Sequence, residues 1–220
     1  MRVNAASLVV ICIVTGLNGC GGGDGRNSSP QEVETHISSD PAYDGDIEQT
    51  PTSYIVTQGM QGGVESVLAG IDPSTGDEFR AFLDFPLDGA DGVPGNAIID
   101  SATLTVLLDD LTPPDSGLPV RVELVSFQPP SLGPSQFDRT AQPSLGAVVT
   151  SEYVTGAEIG QDVTIDVTPL MVTAQQLGLI DFQLRIMEDL GPPFEVLMQI
   201  DDTIQPDRPQ RAPELAVTYH

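Results

Sequence analysis

The chain has no tryptophan and no lysine, and it carries only two cysteines and two histidines in 220 residues. Nucleophilic catalysis of the Ser-His-Asp or Cys-His kind needs a base beside the nucleophile, and the histidines available are His36, near the start, and His220, the last residue. The same scarcity removes any CxxC or Cys/His zinc site. All basic residues are arginines: Arg2, Arg26, Arg80, Arg121, Arg139, Arg185, Arg208 and Arg211. Against 32 acidic residues they leave a formal charge of −24. Such a field repels nucleic acids and anionic head groups, so no nucleic-acid partner is expected.

The amino terminus is built differently. Met1-Arg2 gives a positive start, Ala5 to Thr15 is a short apolar run, and Gly16-Leu17-Asn18-Gly19-Cys20 follows with small residues. The pattern is that of a signal peptide, over residues 1–19, and its apolar part is shorter than the roughly 20 residues a spanning helix needs. Leu17, Gly19 and Cys20 resemble a bacterial lipobox, in which the cysteine becomes the first mature residue and carries acyl chains. Two or more chains give stable membrane anchoring, which makes Cys20 the expected lipidation site. Gly21 in place of Asp after the cysteine favours the outer membrane by analogy with Gram-negative sorting. The expected location is therefore the bacterial cell envelope, with the membrane as a partner through the lipid anchor. Cys12 leaves with the signal, so no intramolecular disulfide is expected.

Residues 20–52 are rich in Gly, Ser, Asp, Glu and Pro without apolar periodicity and read as a flexible acidic tether. From residue 53 to 220 apolar alternation takes over, over a length suited to one domain. In Ser101 to Leu108, Ala102, Leu104, Val106 and Leu108 point one way while Thr103 and Thr105 point the other. Val163, Ile165 and Val167 alternate likewise, as do Leu215, Val217 and Tyr219. Gly- and Pro-rich turns separate about ten such stretches. Pro169 to Leu177 alone reads as a helix, with Thr168 as its cap and Gly178 as its stop. The expected fold is all-β: an antiparallel β-sandwich of jelly-roll type with one short helix.

Five pieces of the domain carry a family resemblance. Phe79-Arg-Ala-Phe-Leu-Asp-Phe85, Ile99-Asp-Ser-Ala-Thr-Leu-Thr-Val106, Asp138-Arg-Thr-Ala-Gln-Pro-Ser144, Asp166-Val-Thr168 and Pro213-Glu-Leu-Ala-Val-Thr-Tyr219 follow one another in the order of the DNRLRE-type domain of bacterial cell-surface proteins. That group is similar to carbohydrate-binding module family 96. The tryptophans such domains place before Gln142-Pro143 and after Asp166-Val-Thr168 are absent here. The resemblance implies a sandwich that binds polysaccharide at the cell surface without cleaving it.

Candidate sites in the domain are few. Hard oxygen ligands in the loop Asp72 to Glu78 make Asp72, Asp77 and Glu78 the first choice for a metal, with calcium as the candidate cofactor. Arg80, Arg121 and Arg185 lie on strands beside Asp84, Glu123 and Asp181, and are expected to pair with carboxylates on a sheet face rather than to bind an acidic sugar. Tyr54, Phe127, Phe137, Tyr153 and Phe194 are the ring candidates for sugar stacking, with core packing the expected role for most. The expected function is a non-catalytic, membrane-anchored lipoprotein with a carbohydrate-binding-like domain. An envelope protein as partner of a structural or assembly lipoprotein is the alternative, and a polysaccharide-cleaving enzyme built on two carboxylates is the weaker one.

Overall fold

Alternation along Ser101 to Leu108 places one face of a strand in the core, and in the computed structural model Ala102, Leu104, Val106 and Leu108 are all buried on β6 (Ile99–Thr112). The structure describes residues 31–220 apart from 60–64, 128–130, 190, 192 and 204–207. β6 is the hub. Its first half lies between β14 (Glu214–Tyr219) and β11 (Asp162–Asp166), and its second half pairs with β13 (Leu197–Asp201). β14 continues to β1 (Val33–Ser38). In the other direction the order runs from β13 to β4 (Ser66–Ile71), β5 (Glu78–Pro86), β12 (Asp181–Glu188), β8 (Val120–Val125) and β9 (Gly146–Val149). β2 (Gly45–Gln49) lies on β5 and carries β3 (Tyr54–Gln58). A short ladder joins β7 (Gly117–Leu118) to β10 (Val154–Thr155), and every pairing is antiparallel.

The register between β13 and β6 shifts at Gln199/Ile200, so Asp109 has no partner residue opposite it. Such a bulge bends and twists a strand. The sheet curls about β6, and Ile37, Ile165, Leu215 and Val217 from one half meet Leu83, Phe85, Leu124 and Phe182 from the other in one core. The all-β, antiparallel sandwich expected from the sequence is the architecture found.

The domain begins earlier than expected. Val33–Ser38 pairs with β14 along its whole length, and Ile47 of β2 is completely buried, so residues 33–52 belong to the sandwich and not to a tether. β1 conceals itself in sequence because it is an edge strand: of its side chains Ile37 alone enters the core. The rest of the expected tether and the signal segment, with Cys20, lie outside the described residues.

α2 (Thr168–Leu177) matches the expected helix and ends at Gly178, whose left-handed φ of 65° only glycine adopts without strain. Its start differs. Thr168 does not cap; its hydroxyl accepts the Ala102 N–H at 2.9 Å and fastens the helix to β6, while Asp166 Oδ1 accepts the Thr168 N–H at 2.9 Å. No helix among the described residues is long and apolar enough to cross a membrane.

Gly70 shows how closely the strands approach. Its φ is +116°, and a Cβ there would lie 2.1 Å from the Val196 carbonyl oxygen. Gly70→Ala is expected to cost about 2 kcal/mol or more through strain and collision, read as a lower urea midpoint with an unchanged slope.

Candidate functional site

β5, β12 and β8 are buried on both faces, which strand alternation does not reveal. Their inner side chains join the main core, while Phe82 and Val125 meet Ile47, Phe127, Leu132 and Phe137 in a second apolar cluster on the outer face. The cover there is made by described residues after β8, including the single turn α1 (Pro134–Phe137). Beneath it lie the charges. Glu123 is fully buried and takes three arginines: Arg121 Nε at 2.8 Å and Arg139 Nη2 at 2.7 Å on Oε1, and Arg185 Nη2 at 2.6 Å on Oε2. Burial alone would raise the Glu123 carboxyl, but hydrogen bonds from Arg121, Arg139 and Arg185 outweigh it and bring the pKa down to about 2. Arg185, also fully buried, donates to the carbonyls of Gln136 at 2.7 Å and Gln142 at 3.1 Å. The cluster therefore ties the covering segment to the sheet.

Arg80 completes the fastening. Two of its nitrogens hold Glu78 Oε1 at 2.7 and 2.8 Å, a third donates to the Phe137 carbonyl, and its guanidinium lies 3.9 Å from the centre of the Phe137 ring. Tyr54 stands beside the same ring, 5.3 Å from Phe137 between ring centres and tilted by 53°. Gln49 Nε2 donates to the Tyr54 hydroxyl at 3.1 Å. Gln49, Tyr54, Arg80, Phe137, Asp138 and Arg139 enclose a depression of about 300 Å³. Tyr54 is 39% exposed there, while Phe137 is buried. Asp138, which accepts Thr140 Oγ1 and N at 2.7 Å each, is held below its ordinary pKa by those bonds.

Comparison with known proteins adds nothing to this geometry. The chain matches no family model and no curated protein. The site is therefore read from its own residues.

The arginines are placed otherwise than as isolated surface pairs. Arg121 meets Glu123 as expected, but Arg185 meets Glu123 instead of Asp181, and Arg80 meets Glu78 instead of Asp84. Arg139, which strand reasoning passed over, joins the buried cluster and the rim of the depression. Among the rings, Phe127 and Phe137 are core, and Tyr153 and Phe194 form a T-shaped pair at 5.7 Å beside a second depression of about 500 Å³. Among the described residues that depression has Glu195 as its charged lining and no arginine.

Asp72 and Asp77 sit on the turn between β4 and β5 and Glu78 opens β5, but the three do not converge. Asp72 accepts Ser74 N and Oγ at 2.7 Å, the Asp77 carbonyl accepts the Asp72 N–H, and Glu78 is held by Arg80. Ser74 lowers the Asp72 pKa. No group of three or more His, Cys, Asp or Glu side chains that could hold a metal ion is found among the described residues. His36 and His220 pair with Glu214 and Asp100, each at the protein surface.

Proposed function

We propose that the protein is a non-catalytic lipoprotein, anchored through Cys20 in the cell envelope, whose sandwich binds polysaccharide in the depression between Tyr54 and Arg139. The observation that carries this reading is the convergence of a half-exposed phenol ring with two guanidinium groups, in a chain that is otherwise strongly acidic. A ring face suits the apolar side of a sugar, and guanidinium donors suit hydroxyls or a carboxylate. The fastening of the covering segment by Arg80 and Arg185 fixes both partners before binding, so little order has to be created on association. The absence of tryptophan leaves Tyr54 as the platform at this position. The resemblance to cell-surface carbohydrate modules and the lipobox-like Leu17 to Cys20 point the same way.

A glycan array with the domain, with and without calcium, tests the reading. Tyr54→Ala and Arg139→Ala are each expected to weaken glycan retention at least about tenfold, with circular dichroism unchanged. Failure to retain any glycan, or retention indifferent to both substitutions, would remove the proposal. Incorporation of a palmitate analogue into the full chain, and its loss in Cys20→Ser, tests the anchor separately.

A further inference from the structure

β11 is an edge strand guarded only by an aspartate at each end. It pairs with β6 on one side, and no described strand pairs with the other. The bonds at its two ends, Leu108 N–H to Gln161 and Val167 N–H to Ala102, set the alternation of the ladder. By that alternation Asp162, Thr164 and Asp166 direct their backbone N–H and C=O groups away from β6. Five regular residues, Asp162-Val-Thr-Ile-Asp166, carry no proline, glycine, lysine or bulge to blunt this edge. The free edge borders a groove of about 570 Å³, whose opposite wall is the chain from Val148 to Val154 and whose end is Pro169.

The side chains specify what fits. Val163 and Ile165 turn inward, whereas Asp162, Thr164 and Asp166 are exposed. A strand laid along this edge would place its own alternate side chains beside the two aspartates on the solvent side and beside Val163, Ile165 and Val148 on the other. Glu152 and Glu158 add further negative charge to the lining, and among the described residues no basic one lines the groove. The Thr168 hydrogen bonds hold Asp166 below its ordinary pKa, so its charge is kept. A second copy of this chain is a poor occupant, because pairing two such edges would set aspartates against aspartates.

We propose that the free edge of β11 receives an extended segment of a partner protein, in which arginine or lysine alternates with β-branched apolar residues, as an added strand. This site is separate from the ring and arginine depression and does not depend on glycan binding.

The test uses an acetylated decapeptide in which lysine and valine alternate between terminal threonines. Its control has the same composition with the lysines and valines in two blocks. Isothermal titration with the domain is expected to give saturable binding of the alternating peptide, and hydrogen exchange is expected to slow at Asp162, Thr164 and Asp166. Thr164→Pro removes one outward N–H at an edge position and is expected to weaken binding at least about tenfold while the unfolding midpoint is kept. Asp162→Lys, which leaves the backbone intact, is expected to weaken it as well and stands in if the proline variant does not fold. Equal affinity for the block peptide, protection mapping to another surface, or no saturation would overturn the proposal. So would sedimentation showing a dimer that Thr164→Pro abolishes.

Discussion

Glu123→Ala is expected to be among the most damaging single substitutions in the domain, with a loss of about 3–5 kcal/mol. The carboxylate is fully buried and is the shared partner of Arg121, Arg139 and Arg185. Removing it leaves three guanidinium groups facing one another, one of them without any exposure to solvent. Arginine cannot shed its proton to escape, so the charge stays and the structure must open. Glu123→Gln separates charge from shape. It keeps an acceptor and nearly the same volume, and it is expected to recover only a minor part of the loss. Arg139→Ala, at a partly exposed position, is expected to cost much less than Arg185→Ala, which would also release the Gln136 and Gln142 carbonyls. Urea unfolding of the four variants measures the order. A Glu123→Gln protein as stable as the parent would show that the three-arginine cluster is not held by charge. Limited proteolysis adds a local readout, since the segment carrying Phe137 and Arg139 should become cleavable in Glu123→Ala under conditions where the parent resists.

That cluster also marks where sequence reasoning stops. β6, β11 and β14 were legible because each buries one face, and alternation records a single buried face directly. β5 and β12 were legible as strands but not as two-sided ones: Arg80, Asp84, Gln183 and Arg185 occupy the alternate positions and read as a solvated face, yet all four are buried. Asp84 is met by the turn at Asp40 to Asp44, and Arg80, Gln183 and Arg185 by described residues of the segment after β8, whose turn-rich sequence has no period to announce them. The pairing of Tyr54 with Phe137 is equally non-local, joining β3 to that same segment. β1 and β2 were hidden for the opposite reason, because Val33–Ser38 and Gly45–Gln49 each contribute few apolar side chains and sit among Gly, Asp and Pro. Composition shifts locate a tether poorly when the first strands bring so few apolar side chains, whether at an edge like β1 or flanked on both sides like β2.

Stability is expected to be greatest in mildly acidic solution and to fall as the pH rises towards 8. The cause is a set of aspartates that the fold buries without full compensation. Burial raises Asp46 to about 7 and Asp84 to about 6. Burial, with the neighbouring Asp202, also pushes Asp44 well above its ordinary value, and Asp202 is raised mainly by burial too, although Arg208 lies 2.8 Å away. Asp44 Oδ1 accepts the Asp84 N–H at 2.8 Å, but its other oxygen has no hydrogen-bond partner among the described residues and Arg208 stands 3.7 Å from it. A carboxyl with a raised folded pKa binds its proton more tightly in the folded than in the unfolded chain. Its stabilising protonation is complete below the unfolded value near 4 and is lost as pH rises through the folded value. For Asp46 the ceiling is on the order of 4 kcal/mol between pH 4 and 8. Glu123 acts in the opposite sense, since its depressed pKa gives stability above about 4.5 that disappears as pH falls towards 2. The two trends place the maximum near pH 4 to 5. Self-repulsion of a chain with charge −24 would also favour acid, but it is screened by salt, whereas the buried groups are shielded from it. Urea unfolding from pH 4 to 8 in 1 M sodium chloride separates the two. The fall should persist there, and Asp46→Asn, which keeps an acceptor for the Leu68 N–H, should flatten it and raise stability at pH 8. A parent protein whose stability in high salt is level across this range would mean that these aspartates are solvated in the folded chain.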